Sequence, residues 1–218
     1  MGIPFLRARR HPGGGRGTCL GPAFAMLGQP MGRIITEAEL RSPDTVGLAR
    51  WLVGKALVRT RRGGSTVHVI TEVEAYDSER DLACHASRGR TPRTQTLYAA
   101  GGVWYVYLVY GMHHMLNIVT GPQDYPAAVL IRGAGSVTGP GRLTRALSIG
   151  RSLNGAHASP ASGLHLEDVG LKVGAADIVA TARIGVDYAG PLWARKPWRF
   201  VLSGPGRGEG GSGRPAPQ

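Results

Sequence analysis

The sequence predicts an α+β fold: a single domain built on a mainly antiparallel, curved β-sheet with flanking helices. Three observations carry that prediction. The segments ITEVEAYD and VWYVYLVY have the period of two that a strand imposes on its side chains. Glycine turns at Arg62-Gly63-Gly64, Gly101-Gly102 and Tyr110-Gly111 fall where short antiparallel strands would reverse. Helical spacing, by contrast, is confined to two short stretches. With 218 residues, 42% of them hydrophobic, the chain can bury one good-sized core.

The elements follow in order. Residues 1–30 form an Arg/Gly/Pro-rich arm with no acidic residue, which has little to pack and is expected to stay flexible. The folded domain is expected over 31–204, and 205–218 reads as a disordered tail. Asp44 or Ser42 is a candidate N-cap for a helix that buries Leu48, Leu52 and Val53 and stops at Gly54. The segment KALVRT follows as a strand, then a strand over 65–76, a long loop over 77–100, and a strand from Trp104 to Tyr110. Met115 to Thr120 returns as its hairpin partner, and after the turn GPQDYP the run AAVLIRG supplies another strand ending at Arg132. GPGRLTRALSIGRSLNG reads as a glycine turn into a short amphipathic helix, with Leu143, Leu147 and Ile149 inward and Arg142, Arg145 and Arg151 outward. ASPASGLHLEDVG reads as a loop, DIVATARIGVDY as a strand, and WARKPWRFVLSG as a basic, aromatic last strand.

The formal charge of +12 rests almost wholly on arginine, the only lysines being Lys55, Lys172 and Lys196. Guanidinium forks suit bidentate contact with phosphate, so the balance favours a nucleic-acid partner over a membrane surface. No apolar run approaches the ~20 residues of a membrane helix. Two cysteines, Cys19 and Cys84, make no disulfide framework, which points to a reduced, cytoplasmic setting. His85, His113 and His114 match no zinc-ligand spacing, and no cofactor motif is present, so neither metal nor cofactor is expected.

Chemistry concentrates between Ile70 and Asn117. Glu72, Glu74 and Tyr76 share one face of their strand, while Thr71, Val73 and Ala75 share the other. Paired carboxylates serve packing poorly, and their backbones would lie about 6.6 Å apart, roughly the carboxyl separation with which an inverting glycosidase admits a water. Glu72 is expected to pair with an arginine. Glu74, beside Tyr76 and opposite an aromatic strand, is the candidate base. Tyr105, Tyr107 and Val109 share one face of that aromatic strand, and Trp104, Val106, Leu108 and Tyr110 the other. The connecting segment HASRGRTPR carries Arg88, Arg90 and Arg93 without an acid and reads as a contact for a nucleic-acid backbone.

These residues carry a resemblance. EVEAY, a histidine eleven residues beyond Glu74, GRTPR, YVYLVYGMHHMLN, VLIRGA, GPGRLTRAL and WARKPWRF occur in this order between Leu40 and Gly204. The set resembles the alkyladenine, or 3-methyladenine, DNA glycosylase family of the single-domain α/β type. The resemblance implies a base-excision enzyme that flips alkylated purines, and by extension deaminated or etheno purines, out of duplex DNA. It implies hydrolysis of the N-glycosidic bond by an activated water, leaving an abasic site with the strand uncut. Glu74 would be the general base, with Arg132 holding the water and a nearby phosphate. Tyr76 and Tyr107 would sandwich the base, His85 would add an edge contact, and Asn117 would reject guanine at the pocket floor. Tyr110 would be the wedge in the duplex, Met112 would also contact the DNA, and Arg88, Arg90 and Arg93 would contact its backbone. The expected partner is double-stranded DNA with a damaged purine, bound by a cytoplasmic monomer without a membrane. Two other readings stay open: a nucleic-acid-binding module without chemistry, and a glycoside hydrolase of free nucleosides using Glu72 and Glu74.

Overall fold

The computed structural model describes residues 32–203 and the backbone of the short strand Met26–Leu27. Apart from that strand, the arm expected over 1–30 lies outside the described residues, as does the tail expected over 205–218. In chain order the elements are β1 (Met26–Leu27), β2 (Arg33–Ile34), α1 (Glu37–Leu40), α2 (Thr45–Leu52), β3 (Ala56–Arg61), β4 (Gly64–Asp77), β5 (Trp104–Val109), β6 (His113–Val119), β7 (Ala127–Ala134), β8 (Val137–Thr138), α3 (Pro140–Ala146), β9 (Leu164–Asp168), β10 (Ile178–Thr181), α4 (Gly190–Ala194) and β11 (Arg199–Leu202).

The expected α+β fold is present, and β4 is its spine. The sheet runs β2-β9-β3-β4-β7-β6-β5 with every pairing antiparallel. The first half of β4 pairs with β3, while its second half pairs with β7 on one side and, through residues 72–74, with β11 on the other. At that changeover the β4–β7 register slips: Ile70 faces Ala134, Glu72 faces Gly133, and Val73 faces Ile131. Thr71 and Arg132 are therefore the unopposed residues of a bulge, which kinks a sheet and re-aims a side chain. Arg132 is the residue re-aimed.

Local sequence explains the helices. Asp44 caps α2 by accepting from the Gly47 amide at 2.8 Å, Leu48 and Leu52 bury the face one turn apart, and Gly54 ends it with φ +88°, where a Cβ would be strained. In α3, Leu143 packs inward, followed by buried Leu147 and Ile149, while Arg142, Arg145 and Arg151 stay exposed. Both helices pack on the sheet, α2 against β4 and α3 against β6 and β7, around a core centred on fully buried Trp104, whose indole N–H donates to the Leu164 carbonyl at 3.0 Å. Helix α1 was not expected, yet Thr36 and Glu39 form a reciprocal capping box.

Three expectations fail. The run ASPASGLHLEDVG is not all loop, because LHLED is strand β9 between β2 and β3. Leu164 and Leu166 do alternate with His165 and Glu167, but the run is short and all four residues are buried, with His165 paired to Glu167 at 2.8 Å. The strand expected through DIVATARIGVDY stops at Thr181, where the chain leaves the sheet and Arg183 turns into the interior. WARKPWRFVLSG is a strand only from Arg199: its start belongs to α4, and Pro197 separates the two. The long segment 77–100 holds short 3₁₀ turns at His85–Arg88 and Gln95–Tyr98, and packs on the sheet through Cys84, Ala86, Leu97 and Tyr98.

Candidate active site

Below the β4 bulge a sheet face gathers two glutamates and two arginines. Glu72 and Glu74 come from β4, Arg132 from β7 and Arg199 from β11. Glu72 Oε1 accepts from Arg132 Nε and from Arg199 Nε, each at 2.7 Å. Glu74 is wholly buried and differently held. Its Oε2 accepts from the Tyr76 hydroxyl at 2.9 Å and Arg132 Nη1 at 3.3 Å, and its Oε1 accepts from the Ile184 amide at 2.8 Å. A carboxylate offers about four acceptor positions. One therefore remains, on Oε1.

The two carboxyls are tuned in opposite directions. Burial alone would lift Glu72, but its hydrogen bonds to Arg199 and Arg132 outweigh burial and hold it below the usual carboxylate range. Burial lifts Glu74 above that range despite Arg132, the Ile184 amide and the Tyr76 hydroxyl, and the neighbouring Glu72 charge adds to the lift. A raised carboxyl is thus set beside a lowered one.

Tyr76, Arg132 and Ile184, which all touch Glu74, also line a cavity of about 590 Å³. Its other walls include His85, Arg93, Tyr105, Tyr107, Asn117 and Tyr188. His85 meets the Tyr107 ring edge-on at 4.5 Å between centroids, and its Nδ1 lies 3.1 Å from the Tyr105 hydroxyl. Burial, with Arg93 and Arg88 nearby, pushes His85 down to about 4, so it is uncharged at neutral pH. Asn117 is buried at the base of β6, where its Nδ2 donates to the Tyr105 carbonyl at 3.1 Å. The expected pocket residues Tyr76, His85, Tyr107 and Asn117 thus meet around one space, with Arg132 in its lining and Glu74 buried behind it.

The rim is built otherwise. Tyr110 and Gly111 both take positive φ, +50° and +70°, in a two-residue reversal closed by the Met112 amide on the Val109 carbonyl at 3.2 Å. That turn favours Asn-Gly, so a tyrosine there is strained, and it is 88% exposed. Met112 beside it is 67% exposed. The three loop arginines divide. Arg93 lines the cavity near the Tyr107 ring, and Arg88 lines the adjoining cleft. Arg90 instead pairs with Asp124 and stacks on Tyr98 at 4.2 Å.

Several members escaped sequence reasoning. Arg199 stood in a recognised basic segment, but its reach to Glu72 depends on β11 lying beside β4. The Ile184 amide carries no side-chain signal at all. Among the described residues no group of three or more His, Cys, Asp or Glu is placed to hold a metal, and no helix is long and apolar enough to cross a membrane.

The chain matches the model of the methylpurine-DNA glycosylase family over residues 39–138 and 134–205. A protein of Methanocella arvoryzae named provisionally as a 3-methyladenine DNA glycosylase is 44% identical over 176 residues, 72% of this chain and 86% of its own. Similarly named proteins of Anaeromyxobacter sp. (strain Fw109-5) and Chlamydia pneumoniae are 42% and 38% identical, over 76% and 78% of this chain and 88% and 95% of their own.

Proposed function

The chain belongs to the methylpurine-DNA glycosylase family, and we propose that it excises alkylated purines from duplex DNA by flipping the nucleotide into the Tyr76–Tyr107 cavity and hydrolysing its N-glycosidic bond. The observation that carries this reading is Glu74: a buried, lifted carboxylate with one acceptor position left, bound by three groups that also line an aromatic cavity.

In the proposed reaction the water oxygen bonds to the anomeric carbon as the C–N bond breaks and its electron pair leaves with the base. Glu74 takes the proton, and Arg132 fixes the water and a phosphate. Alkylation at a ring nitrogen gives the purine a positive charge, so it departs as a neutral base without needing a general acid. Aromatic faces at Tyr76 and Tyr107 favour that cation, and an uncharged His85 does not repel it. Asn117 discriminates at the floor. Tyr110, with Met112, fills the gap in the duplex, offsetting part of the few kcal/mol that flipping costs. Arg93, Arg88 and Arg90 serve backbone phosphates, so binding should weaken steeply with salt. The partner is double-stranded DNA, met as a monomer in the cytoplasm.

The test is release of free base from methylated duplex and, separately, from duplex carrying one hypoxanthine, comparing the parent with Glu74→Gln. Release that vanishes in the variant is expected, and the hypoxanthine lane sets the breadth. Tight duplex binding with no release from the parent would leave a binding module instead, and turnover of free nucleosides a nucleoside hydrolase.

A further inference from the structure

We propose that Arg183, paired with Asp81 behind the pocket wall, is a positioning residue that aligns Glu74 and Tyr76; this deepens the glycosylase reading and rests on it.

Arg183 reaches β4 immediately after Glu74. Its Nη1 donates to the Ala75 carbonyl at 2.8 Å, the residue directly after Glu74. Its guanidinium lies 4.8 Å from the centre of the Tyr76 ring on one side and 5.1 Å from that of Trp198 on the other. The next residue, Ile184, is the one whose amide holds Glu74 Oε1. A shift of the Arg183 backbone therefore moves a Glu74 ligand, and a shift of its head moves the ring that supplies another, the Tyr76 hydroxyl.

The head itself is held through both terminal nitrogens, while its buried Nε has no hydrogen-bond partner. Arg183 and Asp81 are wholly buried and joined through both guanidinium nitrogens, Nη2 to Oδ1 at 2.9 Å and Nη1 to Oδ2 at 2.5 Å. Nη2 also meets the Trp193 carbonyl at 3.3 Å. Asp81 in turn accepts from the amides of Asp77 and Ala83, which ties the pair to the end of β4 and to the start of the segment carrying His85. A charge pair this deep is an expensive way to obtain mere packing, since removing it from water costs several kcal/mol per ion. Such a pair does supply one geometry and no neighbour to it.

The groups that face Glu74 are Glu72 and Tyr76 on β4, Arg132 on β7, Arg199 on β11 and, from the segment after β10, the Ile184 amide with Arg183 behind Tyr76. Loss of the Ile184 bond or of the Arg183 charge raises Glu74 further, because both favour its ionised form. The base then needs a higher pH to be free of its proton. The acid limb of the rate profile moves up in pH, a signature that lost packing alone does not produce.

The experiment uses the full chain with two variants, Asp81→Asn/Arg183→Gln, which keeps hydrogen bonding without charge, and Arg183→Lys, which keeps charge without the fork. Single-turnover base release from methylated duplex is measured against pH, beside melting temperature and affinity for undamaged duplex. For the double variant we expect release to fall about tenfold to a hundredfold, the scale of a small misplacement at a reacting centre, with the acid limb moved up and duplex affinity unchanged. Arg183→Lys should fall less, about tenfold, with its limb moved the same way. A folded variant with the parental limb and rate overturns the proposal. If the double variant does not fold, Arg183→Lys decides by the same two readouts. Absence of release from the parent condemns the glycosylase reading itself.

Discussion

The floor of the cavity and its rim solve opposite problems. Behind the floor, Glu74 receives three hydrogen bonds from β4, β7 and the segment after β10, and Glu72 is gripped by two arginines from different strands. At the rim, Tyr110 and Met112 stand largely in solvent on the turn between β5 and β6. A reacting group must be held to a fraction of an ångström, so it is over-determined by buried contacts. A group that meets a large partner finds its contacts in the partner. One region is rigid because of what surrounds it, the other because of the backbone that bears it.

The contrast can be broken in graded steps. The largest effect belongs to Glu74→Gln, for which single-turnover base release should fall about 10²–10⁴-fold, the usual share of a general base, while the melting temperature holds or rises. Next comes Arg132→Met, which strips a counter-charge from two buried carboxylates and should cost about 3–5 kcal/mol in urea unfolding. Parental stability there would mean that Arg199 suffices and the floor is less tightly built than its bonds suggest. Tyr110→Ala should reduce base release by about tenfold or more, since flipping loses its filler, with nonspecific duplex affinity and stability kept. Tyr110→Asn sharpens the same point: it should gain up to about 1 kcal/mol of stability by relieving the turn, yet excise no better than the alanine variant.

Acidity separates the two glutamates more finely. Glu72, held low in the fold, contributes stability that is present above its unfolded value near 4.3 and is lost as pH falls through its lower folded value. Glu74, held high, works the other way: its ionised form opposes folding, so its contribution is present at low pH and declines as pH rises through the folded value. Stability curves against pH for Glu72→Gln and Glu74→Gln should therefore diverge from the parent in opposite senses. Smallest of all is Arg90→Gln, whose partner Asp124 is exposed, and which should leave the melting temperature at its parental value while weakening duplex affinity slightly.

The legible parts of the fold were those with a period or a punctuation mark. Alternation put Glu72, Glu74 and Tyr76 on one face, Asp44 and Gly54 bracketed α2, and the glycine turns bounded the strands. What escaped was fixed by tertiary context. Strand β9 is a five-residue alternation beside a Ser/Pro/Gly-rich stretch, and only its pairing with β2 and β3 sets it apart from a loop; the segment after Thr181 leaves the sheet to deliver a backbone amide, which no side chain announces. The bulge at Arg132 was equally silent, although it decides that one guanidinium reaches both carboxylates. Of the loop arginines, sequence reported the charge but not the neighbour, and Asp124 lies 34 residues from Arg90.

The reversal at Tyr110-Gly111 bears on a different question, how quickly a duplex can be searched. Its backbone is preset by the turn, so the tip has only two side-chain torsions left to settle when it meets a base step. Such torsions settle in picoseconds to nanoseconds. A scanning molecule with a tip of this kind is ready at every step it visits. On the proposed reading, its pace along the DNA is then limited by travel and by the opening of the base pair, not by its own ordering.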